Sequence, residues 1–131
     1  MAGEITETKA NVRPLAGAMI RRGTAGDTIT AGQPVYLDGA NGWKPTDGSD
    51  SDDCDVRGIM VAPQDAASGN EIDICHLGPV TGYAGMTPGG ILYISDTAGD
   101  IATSAGSNTK IVGWAESAQI LFVQCSPDGD P

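Results

Sequence analysis

The chain has a single phenylalanine, a single histidine, three cysteines and few cations, and each scarcity removes a class of protein. Aromatic residues make up only 5% of it, so large core side chains are few. Cys54, Cys75 and Cys125 are odd in number and widely spaced. That spacing supports neither a disulfide framework nor the paired cysteines of a zinc site, and it reads as free thiols in a reducing compartment. No stretch approaches the roughly 20 apolar residues of a membrane-spanning helix. The first residues carry Glu4 and Glu7 and do not resemble a secretory leader, so a soluble protein with no membrane partner is expected.

Seven basic residues face 17 acidic ones, for a net charge of -10. The imbalance is uneven. Residues 1–22 hold Lys9, Arg13, Arg21 and Arg22 against Glu4 and Glu7, a net of +2, and the remainder carries -12. Nucleic-acid affinity comes largely from cations that displace counterions at phosphates, so an acidic body argues against a nucleic-acid partner.

Glycine and proline, by contrast, are plentiful, at 19 and 8 residues. In helix interiors they cost roughly 1 and 3 kcal/mol, which excludes a helical bundle and favours many short strands joined by turns. The expected fold is all-β, a compact Gly-rich sandwich or barrel of short antiparallel strands. At 131 residues it fits one domain over 15–125, with an extended N-terminal arm over 1–14 and a loose tail over 126–131.

Two stretches repeat each other at an offset of 57 residues: Thr30-Ala31-Gly32-Gln33-Pro34-Val35-Tyr36-Leu37 and Thr87-Pro88-Gly89-Gly90-Ile91-Leu92-Tyr93-Ile94. Gly42 and Gly99 close the turns that follow, and a second echo places Gly58 and Gly113 in Gly-Ile-Met-Val and Gly-Trp-Ala-Glu contexts. The pattern implies a duplicated β unit, over about 26–77 and 83–125. In the first copy Val35 and Leu37 should share one face and Tyr36 the other. Further strands are expected at Gly17–Arg22, Val56–Ala62, Glu71–Leu77, Ile111–Glu116 and Ile120–Cys125. Gly78-Pro79 should end the third of these, with a short strand after it. Asn41-Gly42 is a hairpin signal. The run Ile120-Leu121-Phe122-Val123 is apolar on both faces, which suits a central strand or one covered by a neighbouring subunit.

Catalytic signatures are missing. His76 adjoins Cys75, but neighbours on a strand point to opposite faces and cannot pair as nucleophile and base. The acidic stretch Asp47–Asp55 fits no calcium-loop register and reads as an exposed loop, so no metal ligands are assigned. Lys110 lacks the flanks of a biotinyl or lipoyl carrier, and no cofactor is expected. Tyr36, Tyr93, Trp43 and Trp114 could suggest a glycan platform, yet one aromatic per hairpin is better explained by the core or a subunit interface. The arm, with Ile5, Lys9, Val12 and Arg13, could order on a partner by adding a strand or by pairing its cations with an acidic surface.

The segments Pro14-Leu15-Ala16-Gly17-Ala18, Arg22-Gly23-Thr24-Ala25-Gly26, Ala31 to Leu37, Arg57-Gly58-Ile59 and Gly89 to Ile94 together resemble the small Gly-rich decoration, or cement, proteins of tailed-bacteriophage capsids. The likeness covers about residues 14–125. It implies a non-enzymatic protein of the virion, made in the host cytoplasm, that sits on the outer capsid surface as a homotrimer. Its partner would be the major capsid protein. On that resemblance Ile5, Lys9, Val12, Arg13, Arg21 and Arg22 would face the capsid, and Tyr36, Tyr93, Trp114 and Phe122 would line the subunit interface. The alternative is a β-rich surface or fibre module that binds a glycan or a cation.

Overall fold

The computed structural model describes residues 5–39, 42–51, 54–62 and 65–126. In chain order the strands are β1 (Thr6–Glu7), β2 (Arg13–Pro14), β3 (Met19–Thr24), β4 (Ile29–Thr30), β5 (Pro34–Asp38), β6 (Gly42–Pro45) and β7 (Gly58–Ala62). They continue as β8 (Asp65–Ala66), β9 (Glu71–Thr81), β10 (Tyr83–Ala84), β11 (Ile91–Ile94), β12 (Ile101–Ala102), β13 (Ile111–Ala115) and β14 (Ile120–Ser126). A 3-10 turn at Lys9–Asn11 is the one helical element among the described residues. The expected all-β architecture is present, as a curled antiparallel half-barrel.

The main sheet runs β12-β11-β13-β14-β9-β7-β5-β6, with β2 and β3 laid along β9. This order has the symmetry of a duplication. From either end it reads hairpin partner, repeat strand, strand with the echoing glycine, central strand, and the two halves meet where β14 pairs with β9. The equivalence extends to individual hydrogen bonds. Gly32 donates its N–H to the Met60 carbonyl at 2.8 Å and Met60 donates to the Gln33 carbonyl at 3.1 Å. In the second copy Gly89 donates to Ala115 at 2.7 Å and Ala115 to Gly90 at 2.9 Å. Val35 lies opposite Gly58, and Leu92 opposite Gly113.

The echoing glycines have a steric cause. A Cβ on Gly58 would lie 2.6 Å from the Cys75 carbonyl oxygen of β9, and one on Gly113 would land on the Phe122 carbonyl oxygen of β14. Each strand therefore approaches its inner neighbour more closely than a side chain allows. Between them the two halves bury Val35, Ile59, Met60, Ile74, Val80, Ile94, Val112, Leu121 and Val123 completely. The rims are also tied together: Gly48 donates to the Ser95 carbonyl and Gly99 to the Thr46 carbonyl, both at 2.8 Å. The buried Thr46 hydroxyl donates to the Asp55 carbonyl at 2.6 Å, so this buried polar group is paired.

Several expectations need correction. Gly78-Pro79 does not end a strand, because β9 continues through it to Thr81. Gly78 takes φ +116°, a conformation open to glycine, and a Cβ there would sit 2.6 Å from the Cα of Ala18. The strand bends and changes neighbours, from β3 and β7 before the bend to β2 and β14 after it. In β5, Val35 and Tyr36 are both buried while Leu37 is 54% exposed, because strict alternation is lost in the edge hairpin. The acidic loop is exposed only in part, with Gly48 and Cys54 buried at its two ends; Asp52 and Asp53 lie outside the described residues, as does Asn41 of the hairpin signal.

The described part of the N-terminal arm is not outside the core. Ile5 and Val12 are 8% and 6% exposed, β1 pairs with β10, and β2 pairs with β9. Ile5 donates to the Ile101 carbonyl at 2.9 Å and so covers the β12 edge. A segment of low apolar content can dock this way because two well-placed aliphatic side chains each contribute about 1.5–3 kcal/mol on full burial. The expected tail also begins one residue later, since Ser126 closes β14 opposite Ile111, and residues 127–131 lie outside the described residues.

If the close approaches are structural, Gly58→Ala and Gly113→Ala should each lower stability in urea by about 1–3 kcal/mol, as overpacking does. Gly39, with nothing within 4 Å of its Cβ position, is the control, and Gly39→Ala should stay within about 0.5 kcal/mol. Equal effects at all three positions would refute the steric account.

Candidate functional site

Two of the three thiols, Cys75 and Cys125, have their ionisation pushed upward. Cys75 is fully buried in β9 and donates to the Leu77 carbonyl at 3.4 Å, and burial pushes its ionisation upward. His76 is half-buried, and alternation along β9 is interrupted beside it, since Ile74 and Cys75 are consecutive and both fully buried. Cys54 is buried and donates to the Ser51 carbonyl at 3.5 Å. Cys125 is pushed up to about 12, first by burial and then by nearby Cys75, against the opposing influence of Arg57. Tyr83, absent from the candidates read in the sequence, is buried and donates its hydroxyl to the Gly32 carbonyl at 2.8 Å. Burial and the Glu7 carboxylate push it well above the ordinary tyrosine range, so it stays protonated and pins the second unit to the first. Among the described residues no cluster of three or more His, Cys, Asp or Glu side chains could hold a metal ion.

The six residues expected to face a capsid do not share one environment. Ile5 and Val12 are core residues of the protomer, which removes them from an exposed contact face. Lys9 pairs with Asp65 at 2.7 Å, and Arg22 pairs with Glu71 at 2.8 Å and Asp73 at 3.3 Å. These pairs are exposed and contribute little to stability. Arg13 and Arg21 are exposed and take no ion-pair partner among the described residues.

The expected interface residues also separate. Tyr36 is 5% exposed and opposes Lys44 inside its own hairpin, so it cannot meet a neighbour; this corrects its assignment. Tyr93 is half-buried on β11. Trp114 and Phe122 are brought together, their rings stacked with centroids 5.1 Å apart and an interplanar angle of 26°. Direct cross-strand pairing extends this contact into a row, Ile91–Trp114–Phe122–Pro79, across β11, β13, β14 and β9. Directly opposed residues share a face, so all four point away from the side that buries Leu92, Leu121 and Val80. Ile91 and Trp114 are each 37% exposed, and the row is an apolar stripe on the outer surface. The repeat at Tyr93 and the both-faces-apolar run at Phe122 signalled part of it. Ile91 and Pro79 join only through strand register.

A second feature was not visible in the sequence. Arg21 of β3, Arg57 just before β7, His76 of β9 and Cys125 of β14 meet in an open groove of about 420 Å³. Trp43 and Leu37 from the β5–β6 hairpin supply its apolar wall. These residues come from five separated segments, so no local motif could announce them.

No family model matches the chain, and no curated protein matches it.

The raised thiol sets an alkaline limit on stability. An unfolded thiol ionises near 8.5, whereas folded Cys125 keeps its proton to about 12. Over that interval the native state binds the extra proton, so stability should fall by about 1.4 kcal/mol per pH unit as pH rises. Urea midpoints measured from about pH 9 to about pH 11 should decline, with Cys75 and Tyr83 acting in the same direction. Cys125→Ala should make the decline shallower; an identical slope in that variant would show that the thiol is not protected.

Proposed function

We propose that this chain is a non-enzymatic structural protein that decorates the outer surface of an assembled bacteriophage head as a homotrimer and stabilises it. The observation that carries the reading is the outer stripe Ile91–Trp114–Phe122–Pro79, an apolar surface on a tightly packed duplicated sheet. Aromatic side chains anchored on strands give contact area at little entropic cost, which suits subunit packing. Tyr93 flanks the stripe and Tyr36 has no part in it.

Attachment to the major capsid protein rests on Arg13 and Arg21, two of the exposed cations that take no ion-pair partner among the described residues, together with the exposed apolar residues Met19 and Ile20 of β3. A protein that binds the assembled shell and not its dissociated subunits stabilises the shell by about 2.7 kcal/mol per site at 100 times its dissociation constant. Three linked copies strengthen weak individual contacts through effective concentration. The acidic remainder of the surface keeps decorated particles apart and opposes attraction to nucleic acid.

Native mass measurement should give three chains per particle for the wild type and one for the Trp114→Ser, Phe122→Ser double variant. Cosedimentation with heads lacking this protein should be lost on combining Arg13→Ser with Arg21→Ser, and wild-type attachment should weaken as salt rises. A monomeric wild type that never sediments with heads would overturn the reading.

A further inference from the structure

We infer that the groove between β3, the β5–β6 hairpin and β9 receives an acidic, extended segment of a partner protein, with a carboxylate seated between Arg21 and Arg57. The chain has 7 cations against 17 anions, and yet two arginines and the only histidine converge here from distant parts of the sequence. Outside the groove Lys9 has Asp65, Arg22 has Glu71 and Asp73, and Lys44 has Asp38 at 2.9 Å, while Arg13 takes no ion-pair partner among the described residues. Arg21 and Arg57 take none among the described residues, although acidic side chains outnumber basic ones in the molecule as a whole. The local charge is therefore complementary to an external anion.

The walls favour a peptide segment. Trp43 and the 54% exposed Leu37 give an apolar surface for the stem of a Glu or Asp side chain and its neighbours, and the protonated Cys125 thiol adds no repelling charge. A carboxylate bound by two guanidinium groups against such a wall is held by charge-assisted hydrogen bonds that are stronger than those in open water. A volume of about 420 Å³ accommodates a few side chains and not a folded domain. Strand β3 pairs with β9 and exposes Met19 to Arg22, and just beyond it Ala25 bridges to Trp43 of β6, with Gly26 donating to the Trp43 carbonyl at 2.7 Å. Only the exposed stretch ahead of that bridge, Met19 to Arg22, is left to line up with an extended chain whose alternate side chains reach the groove. The inference uses the attachment reading only for who supplies the segment; the chemistry of the groove stands apart from it.

The test measures fluorescence anisotropy of a labelled eight-residue peptide alternating Glu and Val against the same peptide with Gln for Glu, using the intact chain. The Glu peptide should bind in about 20 mM salt and weaken about tenfold in about 300 mM salt, while the Gln peptide should not bind. Arg57→Ser and Arg21→Ser should each weaken the Glu peptide about tenfold with unchanged urea midpoints, because both residues are exposed. Equal binding of the two peptides, or full affinity in Arg57→Ser, would overturn the inference. So would displacement of the peptide by inorganic phosphate at equal concentration, which would make the groove a small-anion site. Failure of the peptide with heads still bound by wild type would reject the groove alone. Peptide binding without head attachment would reject the decoration reading alone.

Discussion

The antiparallel seam between β9 and β14 is the constraint on which the rest of the molecule depends. It aligns Thr81, Val80, Pro79 and Gly78 with Ile120, Leu121, Phe122 and Val123, and it is where the two copies of the repeat become one sheet. Val80, Leu121 and Val123 are completely buried along it. Neither copy could cover its own apolar face, since each supplies only four strands to the main order and ends in a short edge hairpin. Pairing the central strands solves this by making each half the other's cover. The bend at Gly78 then lets one strand serve two sets of neighbours, and the sheet curls until Thr46 and Gly48 meet Ser95 and Gly99.

From this frame two outward features follow. Because β11, β13, β14 and β9 are held in fixed register, the residues not needed inside form a straight row, and two of them stack. Because β3 is added at the side of β9 rather than within the repeat, its cations and exposed apolar residues are left at an edge. The same addition brings Arg21 into one groove with Arg57 and His76. An apolar stripe and a cationic groove are the two outward features that stand apart from the acidic character of the rest of the molecule.

Much of the fold was legible in the residues. The Thr-Gly-aliphatic-Tyr repeat identified equivalent turns, and Gly32 with Gly89 and Gly42 with Gly99 all adopt positive φ. Ile72 and Ile74 face inward as their alternation requires, and β14 is a central strand as its two apolar faces suggest. The misreadings have physical causes. Gly78-Pro79 looks like a break because local propensity carries no information about the turn at Ala18 that crosses over it. Residues 5–14 look like a free arm because their polarity hides the two side chains, Ile5 and Val12, that anchor them. Of the candidate site, Trp114 and Phe122 were visible as aromatic residues in patterned strands, and Arg21 as a cation; Arg57, Leu37 and Trp43 gained their place in the groove only through folding.

Composition and repetition alone therefore determined an all-β duplicated unit, because turn-forming glycine and proline and a period of two are properties of short windows of chain. Which side chains meet across the seam, which cations keep a partner, and whether a tyrosine faces outward or is enclosed were decided by tertiary structure. Those outcomes depend on strand order and register, where a shift of one residue reverses every face.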